Sequence, residues 1–180
     1  MTRTQPTMRR IMIFGSVGSG KSTLGTALGA ALGLPVIHLD LIVWQPGCRT
    51  IPDDEFFAIH QDLIAREVWI LDGIGPWETW DERAAACDTI ALPDYSIWQT
   101  WRWTLRRQLD SLLGRRPIAP PDCPFMSMTW KLLRWTWTYR QDMRPAILKL
   151  AERERSCGKT ILQWRTPEEM RHFLHSLPRA

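Results

Sequence analysis

The sequence predicts an α/β protein: a single domain with an open, five-stranded parallel sheet, helices on both faces and a short helical lid. Three observations predict it. Short apolar runs alternate with segments of helical periodicity, the pattern of parallel strands joined by crossover helices. The chain has 180 residues, enough for one core of ordinary size. The first apolar run, Arg10 to Phe14, stops at Gly15 and feeds a glycine-rich stretch that opens a helix.

The elements follow in order. Residues 1–8 read as a loose tail, with Met8 an alternative start, and 9–180 as the domain. Arg10 to Phe14 is a buried strand. Gly20 to Leu32 is a helix with Leu24 and Leu28 at helical spacing, and Gly33 is placed for a left-handed cap. Pro35 to Leu39 is a second strand. Asp53 to Glu67 is a helix with acidic residues in its first turn and an apolar stripe through Phe56, Ile59 and Leu63. Val68 to Leu71, Asp88 to Leu92 and Thr160 to Gln163 are the third, fourth and fifth strands. Long helices are expected over Ser96 to Leu113 and from about Ser127 to Arg153, with Pro145 kinking the second. The proline-rich segment between them centres a lid at about 110–127. Thr166, Pro167 and Glu169 open the last helix as N-cap, N1 and N3.

Composition excludes several classes. Hydrophobic residues are 44% and charged residues 23%, as in an ordinary globular chain. The longest apolar run is too short for a signal segment or a membrane span. Cys48, Cys87, Cys123 and Cys157 form no C-x-x-C pair and read as reduced thiols in a cytoplasmic protein. The net charge of +4 suits a phosphate-rich small ligand as well as it suits DNA, for which no recognition motif is present. The 11 tryptophans are either packing residues or, for some rings, walls for a flat ligand.

Gly15, Ser16, Val17, Gly18, Ser19, Gly20, Lys21 and Ser22 form G-x-x-x-x-G-K-S, followed by Thr23. The glycines allow a tight loop whose backbone N–H groups meet phosphate oxygens, and the helix N-terminus adds partial positive charge. Lys21 is a point charge for the β- and γ-phosphates and Ser22 a hydroxyl for Mg²⁺. A chance match in a chain of this length is on the order of one per cent. The strand before and helix after supply the context of a P-loop that binds ATP with Mg²⁺.

Other candidates sit where strands end. His38, Asp40 and Asp72 fall at the C-terminal ends of the second and third strands, the binding edge of an open α/β sheet. Asp40 is read as a proton acceptor or a water-mediated Mg²⁺ contact; its alternative is a loop acid. His38 is a substrate contact or a core histidine. Asp72, closing an apolar strand, is placed on the Mg²⁺ shell together with Ser22. Arg102 with Arg106, and Arg140 with Arg144, are i,i+4 pairs flanking the lid; they are phosphate clamps or solvated basic faces. Arg107, Arg115 and Arg116 are read as surface residues.

With these residues in view, the chain resembles the adenylate-kinase-like branch of P-loop kinases. It is most similar to the bacterial DNA topology modulation (FlaR-like) group. The resemblance is carried by IFGSVGSGKSTL, PVIHLDLIVWQPG, EVWILDG, ERAAACDTIALP, RWTLRRQL and RRPIAPPDCP, from about residue 10 to about 165. It implies a kinase-like fold with ATP in the P-loop. Asp40 and Asp72 would lie on the Mg²⁺ and acceptor side, Trp44 and Arg83 near the acceptor, and Arg102, Arg106, Arg140 and Arg144 on the lid side. The chain departs from the pattern at Ile74-Gly75-Pro76, where adenylate kinases carry Phe-Pro-Arg and the topology-modulation group tends to carry Asn-Tyr.

Three functions are therefore expected in descending order. The first is transfer of the γ-phosphoryl group to a small acceptor, with a nucleoside or nucleotide among the candidates. The second is a nucleotide-dependent regulator acting on DNA, recognisable by steeply salt-dependent duplex binding. The third is a plain NTPase, for which no water-positioning Gln or Glu stands beside Asp72.

Overall fold

The computed structural model describes residues 8–45, 49–113 and 125–177. In chain order the elements are β1 (Arg10–Ile13), α1 (Lys21–Leu32), β2 (Val36–His38), α2 (Leu39–Val43), β3 (Trp44–Gln45), β4 (Arg49–Thr50), α3 (Asp53–Ile64) and β5 (Trp69–Asp72). A 3-10 turn at Trp77–Thr79 leads into α4 (Trp80–Ala86), followed by β6 (Thr89–Pro93) and α5 (Ile97–Leu112). Then come α6 (Phe125–Thr138), a π-helical turn (Tyr139–Met143), α7 (Arg144–Ser156), β7 (Thr160–Trp164) and α8 (Pro167–Ser176). Most of the expected lid, 114–124, lies outside the described residues.

The five main strands pair in the order β2-β5-β1-β6-β7, all parallel. The register explains the uninterrupted apolar runs. Ile11 and Ile13 join Leu24, Leu28, Trp164 and Met170 in one core layer, while Met12 and Phe14 join Phe56, Leu63, Trp80 and Ile147 in the other. Every side chain of β1 beyond Arg10 is buried because α1 and α8 cover one face and α3, α4 and α7 the other. Burying each Ile, Leu or Phe contributes roughly 2 kcal/mol, so this two-layer core is the main stabilising term. Met8, expected in the tail, packs against the first of these layers.

The expected strands are all present to within a residue or two. Several short elements are not in the sequence reading: α2, the β3–β4 hairpin and α4, each too short to show a period of its own. Where a kink was expected at Pro145, the helix instead leaves α geometry just before it, in the π-helical turn Tyr139–Met143. Pro145 lies in the first turn of α7, where its missing N–H costs nothing. At the C-terminus of the sheet, Thr166 Oγ1 accepts from the Glu169 N–H at 3.2 Å, as the capping pattern predicts. No helix among the described residues is long and apolar enough to cross a membrane.

One buried group sets a pH dependence. His60 is 1% exposed, stacked on Phe56 at 6.0 Å, and neither ring nitrogen has a hydrogen-bond partner among the described residues. Burial, with the Arg83 charge adding to it, pulls its pKa down to about 4. Between about pH 4 and 6.5 the unfolded chain binds more protons at this site than the folded one, so stability falls as pH is lowered through that window, by no more than about 3 kcal/mol. Urea midpoints at pH 7, 6 and 5 are expected to show this decline, and His60→Leu to flatten it; an unchanged slope in the variant would assign the acid sensitivity elsewhere.

Candidate functional site

The strand order puts β1 between β5, reached through the first crossovers, and β6, reached in the opposite direction. Chain connections diverge above the C-terminal end of β1, which opens a crevice there. The glycine-rich loop occupies that point. Gly18 (φ 74°) and Gly20 (φ 80°) adopt left-handed backbone, and Gly20 caps α1. Ser16 and Ser19 are buried, Lys21 and Ser22 half-buried, and Thr23 exposed. Lys21 Nζ donates to Ser16 O at 2.9 Å, which holds the ammonium across the loop. Ser19 Oγ is buried without a hydrogen-bond partner among the described residues.

The loop is pressed from one side by α5. A Cβ on Gly18 would lie 2.4 Å from Thr104 Oγ1 and 2.7 Å from Thr100 O. Only glycine allows that approach. The contact also fixes the rotation of α5. Thr100, Thr104 and Arg107 are spaced i, i+4, i+7 and share a face, so Arg107 follows the two threonines along the loop side. Arg102 and Arg106 are about 200° and 240° round from Thr100, on the far side, and both are exposed. Arg102 and Arg106 thus lie on the face turned away from the loop, and Arg107, exposed as its surface reading expects, lies on the face turned toward it. Although Arg107 keeps exposed area, crowding by protein lowers its pKa, and the charges of Asp40 and Asp72 act to raise it.

Those two carboxylates stand on the next strand ends. Asp72 is 3% exposed, paired in register with Ile13 of β1 and His38 of β2. His38 Nδ1 meets Asp72 Oδ2 at 2.7 Å. That hydrogen bond raises the His38 pKa; burial opposes it, and the charges of Asp72 and Asp40 add to the rise. His38 is thus neither a plain core histidine nor a free surface group. Asp72 Oδ1 is buried and has no hydrogen-bond partner among the described residues, an atom whose chemistry calls for a donor or a cation. Asp40 lies exposed in the first turn of α2, over Gly73, with Oδ1 3.6 Å from where a Gly73 Cβ would sit. Trp44 is 36% exposed on β3.

Asp94, just past β6, was not singled out in the sequence, although its strand closes on an acid as β5 does. Arg144 Nε and Nη2 grip its two carboxylate oxygens at 2.7 Å each, and Gln163 of β7 donates to it at 2.9 Å. Desolvation would raise the Asp94 pKa, but the Arg144 and Gln163 bonds and the nearby Arg140 charge bring it below the usual carboxylate value. Arg140, on the π-helical turn, donates to Tyr95 O at 3.3 Å. A shallow cleft, open to solvent, runs from Ser16 past Thr100 and Tyr139 to Arg140 and Arg144. Both arginines line that cleft with Ser16, Arg140 bonded to Tyr95 O and Arg144 to Asp94.

Arg83 corrects a further expectation. It is fully buried, so it does not contact an acceptor directly. Its guanidinium donates to Gly73 O and Ile74 O, each at 2.9 Å, and to Thr79 Oγ1 at 3.0 Å.

The residues present fit MgATP. The left-handed glycine loop, Lys21 and the α1 N-terminus would hold the phosphates. Ser22 and the unpartnered Asp72 Oδ1 are oxygen donors suited to a hard cation.

No protein-family model matches the sequence, and a search of curated proteins finds no match. Solved structures do match. Shikimate kinase from Acinetobacter baumannii, in complex with shikimate, superposes with a TM-score of 0.52 at 16% identity, covering 93% of this chain and 89% of that one. Shikimate kinase from Bacteroides thetaiotaomicron gives 0.52 at 16% identity, covering 93% and 95%. This likeness shows that the chain shares the fold of these two structures.

Two glycines with similar backbone separate binding from stability. Gly18→Ala would drive a methyl into α5 and is expected to weaken ATP binding tenfold or more. Gly33 (φ 66°) has nothing within 4 Å of a Cβ, so Gly33→Ala should cost about 1 kcal/mol of stability and leave ATP affinity unchanged. Calorimetric titration with ATP checks both; equal affinities in the two variants would refute the role given to the Gly18 contact.

Proposed function

We propose that the protein transfers the γ-phosphoryl group of MgATP to a hydroxyl group of a small molecule. The observation that carries this reading is the convergence of Lys21, Asp40, Asp72 and Arg107 at one edge of the sheet. A simple ATP binder has no need of two carboxylates and a further arginine facing the phosphate loop.

In this reading Gly15 to Thr23 hold the nucleotide. Ser22 and Asp72 would hold Mg²⁺, which would neutralise phosphate charge. Asp72 keeps Oδ1 for that purpose because Oδ2 is committed to His38. Asp40, exposed toward the crevice, takes the acceptor's proton as the acceptor oxygen bonds to the γ-phosphorus and the bond to the β-γ bridging oxygen breaks, releasing ADP. Lys21 and Arg107 stabilise the charge spread over the transferring group, the main source of catalysis in such reactions. Arg140 borders the cleft beside Ser16, on the lid side in this reading, and Trp44 and His38 would flank the acceptor side. The fold shared with the shikimate kinases supports this reading and adds shikimate-like hydroxy acids to nucleosides and nucleotides as acceptors to try.

Incubation with Mg²⁺, γ-labelled ATP and that acceptor panel tests the assignment. Labelled product is expected with the wild type and none with Lys21→Ala. Arg107→Ala is expected to lower kcat by about 100-fold or more while ATP still binds, and Arg102→Ala to stay within about twofold. Tight ATP binding with no transfer to any acceptor would refute the proposal; equal effects of the two arginine variants would refute the role of Arg107.

A further inference from the structure

Arg83 sits in α4, its whole side chain inside the protein. No carboxylate forms an ion pair with it among the described residues. A buried cation without a counter-ion is costly, and an apolar residue of similar volume would fill the same space at less cost. What the cation does receive is specific. Its fork spans the carbonyls of Gly73 and Ile74, the two residues that follow Asp72, while Thr79 Oγ1 accepts a third bond and the Phe14 ring lies 5.5 Å beneath. Trp80 Nε1 donates to the same Ile74 carbonyl at 2.9 Å. Burial lowers the Arg83 pKa to about 9, which leaves it charged at neutral pH.

The segment that it grips is shaped for the grip. Gly75 has φ 61°, and a Cβ there would lie 3.0 Å from Arg83 Nη2 and 3.5 Å from Phe56 Cζ. The inward turn of these carbonyls needs a glycine and a forked donor together. On its other side the segment meets α2: a Cβ on Gly73 would lie 3.0 Å from Leu39 Cβ and 3.6 Å from Asp40 Oδ1. The chain from Asp72 to Gly75 therefore joins the two carboxylates of the site, and Arg83 holds it from behind.

We propose that Arg83 is a positioning residue that fixes the Gly73–Gly75 segment and, through it, the acceptor side of the site beside Asp40. This rests on the phosphotransfer reading for its link to the acceptor. It does not rest on it for the order of the segment.

Amide hydrogen exchange on the full-length protein tests the proposal, with Arg83→Met, Arg83→Lys and Thr79→Val compared to wild type. In Arg83→Met, peptides covering residues 73–77 should exchange at least tenfold faster while peptides of β1 and α1 keep their protection. Arg83→Lys keeps the charge without the fork and should recover part of the protection. Thr79→Val keeps the cation and removes two bonds, the one that Thr79 Oγ1 accepts from Arg83 and the one that it donates to Pro76 O at 2.7 Å, so it sets the size of a rise that needs no loss of Arg83; Arg83→Lys decides the matter if Arg83→Met does not fold. With a working acceptor, its KM should rise about tenfold in Arg83→Lys while the KM for ATP stays within twofold. Unchanged exchange at 73–77, a rise spread evenly over the sheet, or an equal rise in both KM values would overturn the proposal. If the wild type transfers to no acceptor, the phosphotransfer reading falls, and the exchange comparison still decides what Arg83 does.

Discussion

The structure depends on one constraint: β1 is buried on both faces and paired on both edges, so its C-terminal end has only one way out. Pairing with β5 and β6 leaves no free edge, and Met12 with Phe14 and Ile11 with Ile13 lock into opposite core layers. A one-residue slip would exchange those two sets. The register that prevents the slip also sets Ile13 beside Asp72 and Asp72 beside His38. The phosphate-loop geometry and the carboxylate geometry are therefore two readings of the same strand alignment. Parallel strands all end at one edge, which is why groups scattered from residue 21 to residue 163 meet there.

Charge is then handled differently at three places along that edge. Asp94 is neutralised: the Arg144 fork and Gln163 satisfy both oxygens and tie α7 to β6 and β7. Asp72 is only half satisfied, since His38 takes Oδ2 and Oδ1 has no hydrogen-bond partner among the described residues. Arg83 has no carboxylate among the described residues and spends its fork on backbone carbonyls. A fully paired acid serves the scaffold at the cost of its reactivity. A half-paired buried acid keeps an unmet demand, and such demands mark sites more reliably than charge alone.

Local features were legible in the sequence and tertiary phase was not. The loop from Gly15 to Ser22 announces itself because its function needs particular residues at consecutive positions. The parallel sheet announces itself because strands buried on both faces cannot alternate with polar residues. The Thr166 cap is likewise a matter of three or four neighbours. The choice among Arg102, Arg106 and Arg107 is of another kind. Spacing shows that two arginines share a helix face but not which way that face turns, and the answer lies in the contact of Thr100 and Thr104 with Gly18. The threonines were the available signal, small β-branched residues on the helix face that must approach backbone closely. Arg83 was misread for a related reason: no local pattern separates an arginine that reaches outward to a ligand from one that reaches inward to a loop.

The same contact has a consequence for how the site holds together. Because Thr104 seats on Gly18 and Arg107 follows it by less than one turn on that face, the phosphate loop and the arginine facing Asp40 and Asp72 are positioned by a single rigid helix. Residues 114–124 join that helix to α6, and α6 runs through the π-helical turn to Arg140 and Arg144. Tyr139, buried in that turn and stacked on Trp135 at 5.8 Å, keeps it anchored while Arg140 reaches Tyr95 O and Arg144 reaches Asp94.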